Sequence, residues 1–115
     1  IELIASMPLR TPRLLRIKND AESTAKQAYE ADESVPQDAY RHVLWNFLLT
    51  RAFDEQTAQA VTDAHEAGDT GNSKAEREMD YNNNAVGRRY AAEGVRRPEI
   101  LEKLLSDPEV IRTAE

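Results

Sequence analysis

Apolar residues along this chain recur at three- and four-residue spacing and almost never alternate, which predicts helices and no sheet. Thr11 before Pro12 reads as an N-cap followed by a first-turn proline. Leu14, Ile17, Ala21, Ala25 and Ala28 then repeat along one face, predicting a helix near 12–31. Ser34, Val35 and Pro36 repeat the start signal, and Tyr40, Val43, Leu44, Phe47 and Leu48 give a broad apolar face to a second helix over about 36–53. Asp54 caps a third over about 55–67, closed by Gly68 as a left-handed cap residue. Ser73 and Glu76 have capping-box spacing for a fourth, ending near Glu93 with Gly94 beyond. Arg97-Pro98 and Asp107-Pro108 each predict the start of a short final helix, the first with Ile100, Leu101, Leu104 and Leu105 buried. The expected fold is all-α: a compact array of five to six helices, bundle-like or orthogonal, in a single domain over 1–115 with its motif-bearing core at 36–93.

Composition narrows the function classes. The 115 residues hold no cysteine, so disulfides and thiolate metal sites are excluded. The longest apolar run, Val43 to Leu49, is broken by Asn46, so no membrane span is expected. The net charge of −6 argues against broad nucleic-acid binding, which needs a surplus of Lys and Arg on one face. Acid is concentrated in the middle, where residues 31–80 carry eleven of the 21 Asp and Glu. The chain opens on Ile1, as a processed or excised segment would, and the apolar stretch 1–7 is too short and, at Glu2, too acidic for an intact signal peptide.

Candidate chemistry falls in three of the helices. Asp38, His42 and Asn46 stand four residues apart and share a stripe, with Arg41 and Trp45 on the adjoining one. The third helix ends in Thr62-Asp63-Ala64-His65-Glu66, so an antiparallel pairing would bring His42 and His65 to the same end. The fourth carries Asp80-Tyr81-Asn82-Asn83-Asn84-Ala85-Val86-Gly87-Arg88 at mid-helix. Asp and Asn there cost roughly 0.6 kcal/mol each and Gly about 1, or ~3 kcal/mol together, a large part of a typical stability of ~5–15 kcal/mol. Local rules broken in a cluster mark the places where function is expected. Asp80, Asn83, Asn84 and Gly87 share a face, where Gly87 admits a close approach by backbone or ligand.

The segments Arg41-His42 with Trp45-Asn46, Asp63 with His65-Glu66, and Met79-Asp80 with Asn83-Asn84 and Gly87-Arg88 resemble a bacterial domain-of-unknown-function family. Its members carry Arg-His-x-x-Trp-Asn, Asp-x-His-Glu and Met-Asp-x-x-Asn-Asn-x-x-Gly-Arg segments and are often secreted or toxin-like. The resemblance covers about residues 38–93. It implies a bacterial, secreted or periplasmic setting, an effector role and, for a toxin, a cognate immunity protein as partner. It implies no particular reaction. Arg41-His42 on a long helix is also similar to secreted prokaryotic phospholipases, but Val43 stands where that family needs a carboxylate and the disulfides are missing.

Three readings of these residues follow. In a metal-free hydrolytic site acting on a small or polymeric substrate, His65 or Glu66 is the base and Asp63 or Asp80 orients the imidazole. His42 belongs to the same cleft, and Asn83, Asn84 and Arg88 stabilise developing negative charge. In a metal site, His42, His65 and Asp80 hold one divalent ion. In a structural module, the same groups form a buried hydrogen-bonded network that fixes helix packing. Tyr40, Trp45 and Phe47 read as core, the arginines at 88–89 and 96–97 as helix-dipole partners in preference to a basic patch for phosphate or lipid headgroups, and the loop 68–73 as too short for a lid.

Overall fold

The protein is described by a computed structural model covering residues 11–68 and 71–114, with Thr11 described by its backbone alone. The apolar stretch 1–7 and Asp69 and Thr70 of the loop lie outside the described residues, as does the Thr11 side chain expected to cap the first helix. Five helices and no strand occur among those described: α1 (Thr11–Ala31), α2 (Gln37–Ala52), α3 (Glu55–Ala67), α4 (Lys74–Ala92) and α5 (Ile100–Ser106), the last entered through a 3₁₀ turn at Arg97–Glu99. None of the described helices is long and apolar enough to cross a membrane.

Local sequence accounts for most of the boundaries. The Asp54 side chain accepts from the Thr57 amide, and Ser73 and Glu76 close a reciprocal capping box at the start of α4. The Ser34 hydroxyl instead turns back to the Asp32 carboxylate at 2.7 Å, and α2 begins without a side-chain cap. Gly68 ends α3 in extended backbone with φ −72°, while the left-handed positions are Gly71 and Gly94.

The core is built on α2, whose buried residues Ala39, Tyr40, Val43, Leu44, Trp45, Phe47 and Leu49 look out in every direction. A helix apolar all round must be covered all round, and α2 packs most extensively against α4, then α1, then α3. Leu14, Ala21 and Ala25 supply α1's share of the core, and Ile100 and Leu104 that of α5. Leu105, expected in that stripe, is exposed.

Two features fix α4. A Cβ on Gly87 would lie 2.2 Å from the Val43 carbonyl oxygen and 2.9 Å from the Asn46 Cβ, so the close approach expected there is that of α2 itself. The helix expected from Asp107-Pro108 is absent. Asp107 Oδ1 still accepts from the Glu109 amide at 2.9 Å, but this closes a turn that is not continued, while Oδ2 accepts from the Tyr90 hydroxyl at 2.7 Å and Arg89 Nη2 at 2.6 Å. The chain beyond runs as a turn and tail along α4, where Asn83 Nδ2 donates to the Ile111 carbonyl at 2.8 Å and Ile111 N donates back to Asn83 Oδ1 at 3.0 Å.

Candidate functional site

Residues four apart stack on one side of a helix, and three such stripes face one another: Asp38, His42 and Asn46 on α2, Thr62 and Glu66 on α3, Asp80, Asn84 and Arg88 on α4. His42 meets Glu66 while Asn46 meets Thr62, so α2 and α3 run antiparallel at the site. Relative to α4 the order is the same in both helices, with His42 beside Asp80 and Asn84, and Asn46 beside Asn84 and Arg88.

The inner part of the network has one consistent set of donors and acceptors. Arg88 can only donate, and its Nη1 lies 2.9 Å from Asn46 Oδ1, which Thr62 Oγ1 also reaches at 3.0 Å. The Asn46 amide nitrogen therefore points the other way, donating to the His42 carbonyl at 3.0 Å and to Asn84 Oδ1 at 2.8 Å. Asn84 Nδ2 donates to Glu66 Oε2 at 3.1 Å. His42 Nδ1, 2.9 Å from Asn84 Oδ1 and 3.5 Å from Glu66 Oε2, faces only acceptors and so carries the ring proton. His42, Asn46, Thr62, Glu66, Asp80, Asn84 and Arg88 are all buried.

That arrangement leaves Nε2 as the acceptor side of the imidazole. It lies 3.3 Å from Asp80 Oδ1, 3.7 Å from Asp38 Oδ1 and 3.3 Å from Arg41 Nη2. Arg41 is 2.5 Å from Asp38 Oδ1, and both side chains are more than two-fifths exposed, so this pair forms the outer edge of the cluster. Asp80 Oδ2 accepts from Asn72 at 3.1 Å, whereas Asp80 Oδ1 is buried with no hydrogen-bond donor. Burial, and then the negative charges of Asp38 and Glu66, push the Asp80 carboxyl up to about 8. Burial drives His42 the other way, below its ordinary value, and outweighs the pull of the same carboxylates. The site thus favours a protonated Asp80 and a neutral imidazole.

At His42 and Arg41 the cluster borders a small cleft of about 60 Å³, lined also by Lys18, Glu22, Trp45 and His65. Of the residues singled out in the sequence, His42, Glu66, Asp80 and Asn84 converge and Arg88 closes the inner end. Both histidines line the cleft, but the exposed His65 stands at its rim with its ring edge-on to Trp45, the centroids 5.3 Å apart. One residue before Glu66, it is turned by about 100° around α3, so Asp38 and not His65 joins His42 and Asp80 in a group of potential metal ligands. Asp63 is half-buried and acts on the charge of Arg88. Asn83 faces the tail and does not join the cluster. Arg89, Arg96 and Arg97 are paired with Asp107 and Glu109, Glu99, and Asp20 respectively. Asn72 is a partner that no periodicity reveals, because it sits in a loop, and Thr62 is legible only through its spacing from Glu66.

Compared with known proteins, the chain matches over residues 1–108 a family model described as a domain of unknown function, DUF6973. No curated protein and no solved structure matches it.

Proposed function

The chain therefore belongs to the DUF6973 family, and from the buried cluster we propose that its members of this form act as hydrolases through acid/base chemistry centred on His42. The observation that carries the reading is the locked imidazole: Asn84 and Glu66 hold Nδ1–H, Nε2 is left as the acceptor, and the residue itself lines a cleft. A water or substrate hydroxyl in the cleft gives its proton to Nε2 as its oxygen attacks the electrophilic centre. Arg41 faces the negative charge that develops there. The leaving group takes a proton from Asp80 or from the imidazolium. Opposed shifts on two neighbouring groups are the pattern expected of an acid and a base working together. The resemblance in the three sequence segments supports placing the domain among bacterial exported effectors, where a toxin would be held in check by an immunity protein.

The test is hydrolysis of a panel of chromogenic esters, phosphoesters and peptides by the wild type, with growth arrest on expression in bacteria as a second readout. His42→Gln should lower turnover by about 100-fold or more and relieve the arrest while the melting temperature is held or raised. Turnover of no substrate would remove the hydrolase reading, and a loss of about 2 kcal/mol of stability in both His42→Gln and Glu66→Gln would instead identify the cluster as a packing network.

A further inference from the structure

We infer that Asp38, His42 and Asp80 form a binding site for one divalent transition-metal ion, of the zinc or manganese class. One ligand atom from each of Asp38, His42 and Asp80 lies within 4.8 Å of the other two. Two metal bonds of about 2.0–2.1 Å at a tetrahedral angle separate their donor atoms by about 3.3 Å. The distances from Nε2 to the two carboxylates are 3.3 and 3.7 Å, close to that separation, and an ion would draw the half-exposed Asp38 carboxylate in toward Asp80.

Proximity of acids alone would mean little. The observation that points to a ligand is Asp80, whose side chain is 2% exposed and whose Oδ1 faces the group without a hydrogen-bond donor. A buried oxygen in that state calls for a cation or a proton. The surroundings also match those of metal-binding histidines, which hand their second ring N–H to a carboxylate or carbonyl oxygen. His42 Nδ1 does this with Asn84, backed by Glu66, and Asn72 holds the other oxygen of Asp80. One imidazole and two carboxylates suit zinc or manganese and leave coordination positions for water.

Arg41 makes the proposal specific. Its guanidinium stands at the mouth of the group, against both Asp38 and Nε2, where its charge competes with an incoming ion. On binding, Arg41 leaves Asp38 for the cleft, Nε2 becomes a ligand, and activation of the water passes to the ion. This extension rests on the catalytic reading only in placing a reaction at the ion; the binding itself does not.

Calorimetric titration of untagged, chelator-treated full chain with zinc and manganese chlorides tests it. The expected result is one ion per chain, at least about tenfold weaker binding in Asp38→Asn and Asp80→Asn, tighter binding in Arg41→Gln, and no change in His65→Ala. Asp38 is half exposed, so its variant remains informative if Asp80→Asn fails to fold. No binding by the wild type, or binding that survives Asp38→Asn and disappears in His65→Ala, would overturn the site. Stoichiometric binding by a protein that hydrolyses nothing would keep the site and remove the hydrolase reading. Hydrolysis by chelated protein that binds no ion would do the reverse.

Discussion

Gly87 shows how far one absent methyl controls this molecule. Its Cα faces the backbone of α2 at Val43, the neighbour of His42, and an added Cβ would meet a carbonyl oxygen at 2.2 Å that cannot rotate away. Gly87→Ala should therefore cost about 2–3 kcal/mol, read by chemical denaturation, and lower turnover as well, because α2 and α4 part where the donor atoms must meet. The need for a small residue was legible in the sequence, since glycine at mid-helix is costly without a reason; whether backbone or ligand filled the space was not. The same limit applies to Asn83. Its place on a polar face followed from periodicity, but its partner Ile111 stands 28 residues on, and no local rule links them. Asp38, His42, Glu66, Asp80 and Asn84 were legible because each helix repeats its polar residues every fourth position.

At the scale of elements, α4 carries the conflict between propensity and position, and bonds to its surroundings resolve it. Asn82 and Asn83 hold the tail, Asn84 joins the network, and Tyr90 and Arg89 reach Asp107. Removing Asp107 strands the hydroxyl of Tyr90, a residue buried against Ile100 and Leu104 in the same core cluster. Asp107→Ala should cost about 2 kcal/mol, and Tyr90→Phe should cost much less in that background than in the wild type. Additivity of the two losses in thermal or denaturant unfolding would mean that they do not act as a unit. Helix starts at Glu55 and Lys74 were legible because their caps are local. Asp107-Pro108 misleads because an aspartate before proline makes the same local bond to an amide two residues on in a turn as in a helix start.

Across the whole molecule, the acidic excess divides into cluster carboxylates, helix caps and ion pairs. One pair ties distant parts of the chain: Arg97 donates to both oxygens of Asp20, at 2.7 and 2.8 Å, joining α1 to the entry of α5. Hydrogen bonds from Arg97 and then Thr24 hold the Asp20 carboxyl below its ordinary 3.8. A depressed acid stabilises the fold above its unfolded value and loses that contribution as pH falls through the folded value. Wild type should thus exceed Arg97→Gln in stability at neutral pH, with the gap closing as pH falls below about 4. Because both side chains are about two-fifths exposed, the gap should stay under about 1 kcal/mol; unfolding curves at the two extremes measure it. The number and order of the main helices were legible from periodicity and punctuation, whereas the way they close on one another depends on pairings such as this one, 77 residues apart. The tail has a consequence of its own in time. The Ile111 amide belongs to no helix, yet its hydrogen is held by the buried Asn83, so its exchange with solvent waits for the tail to lift from α4 and serves as a clock for that opening.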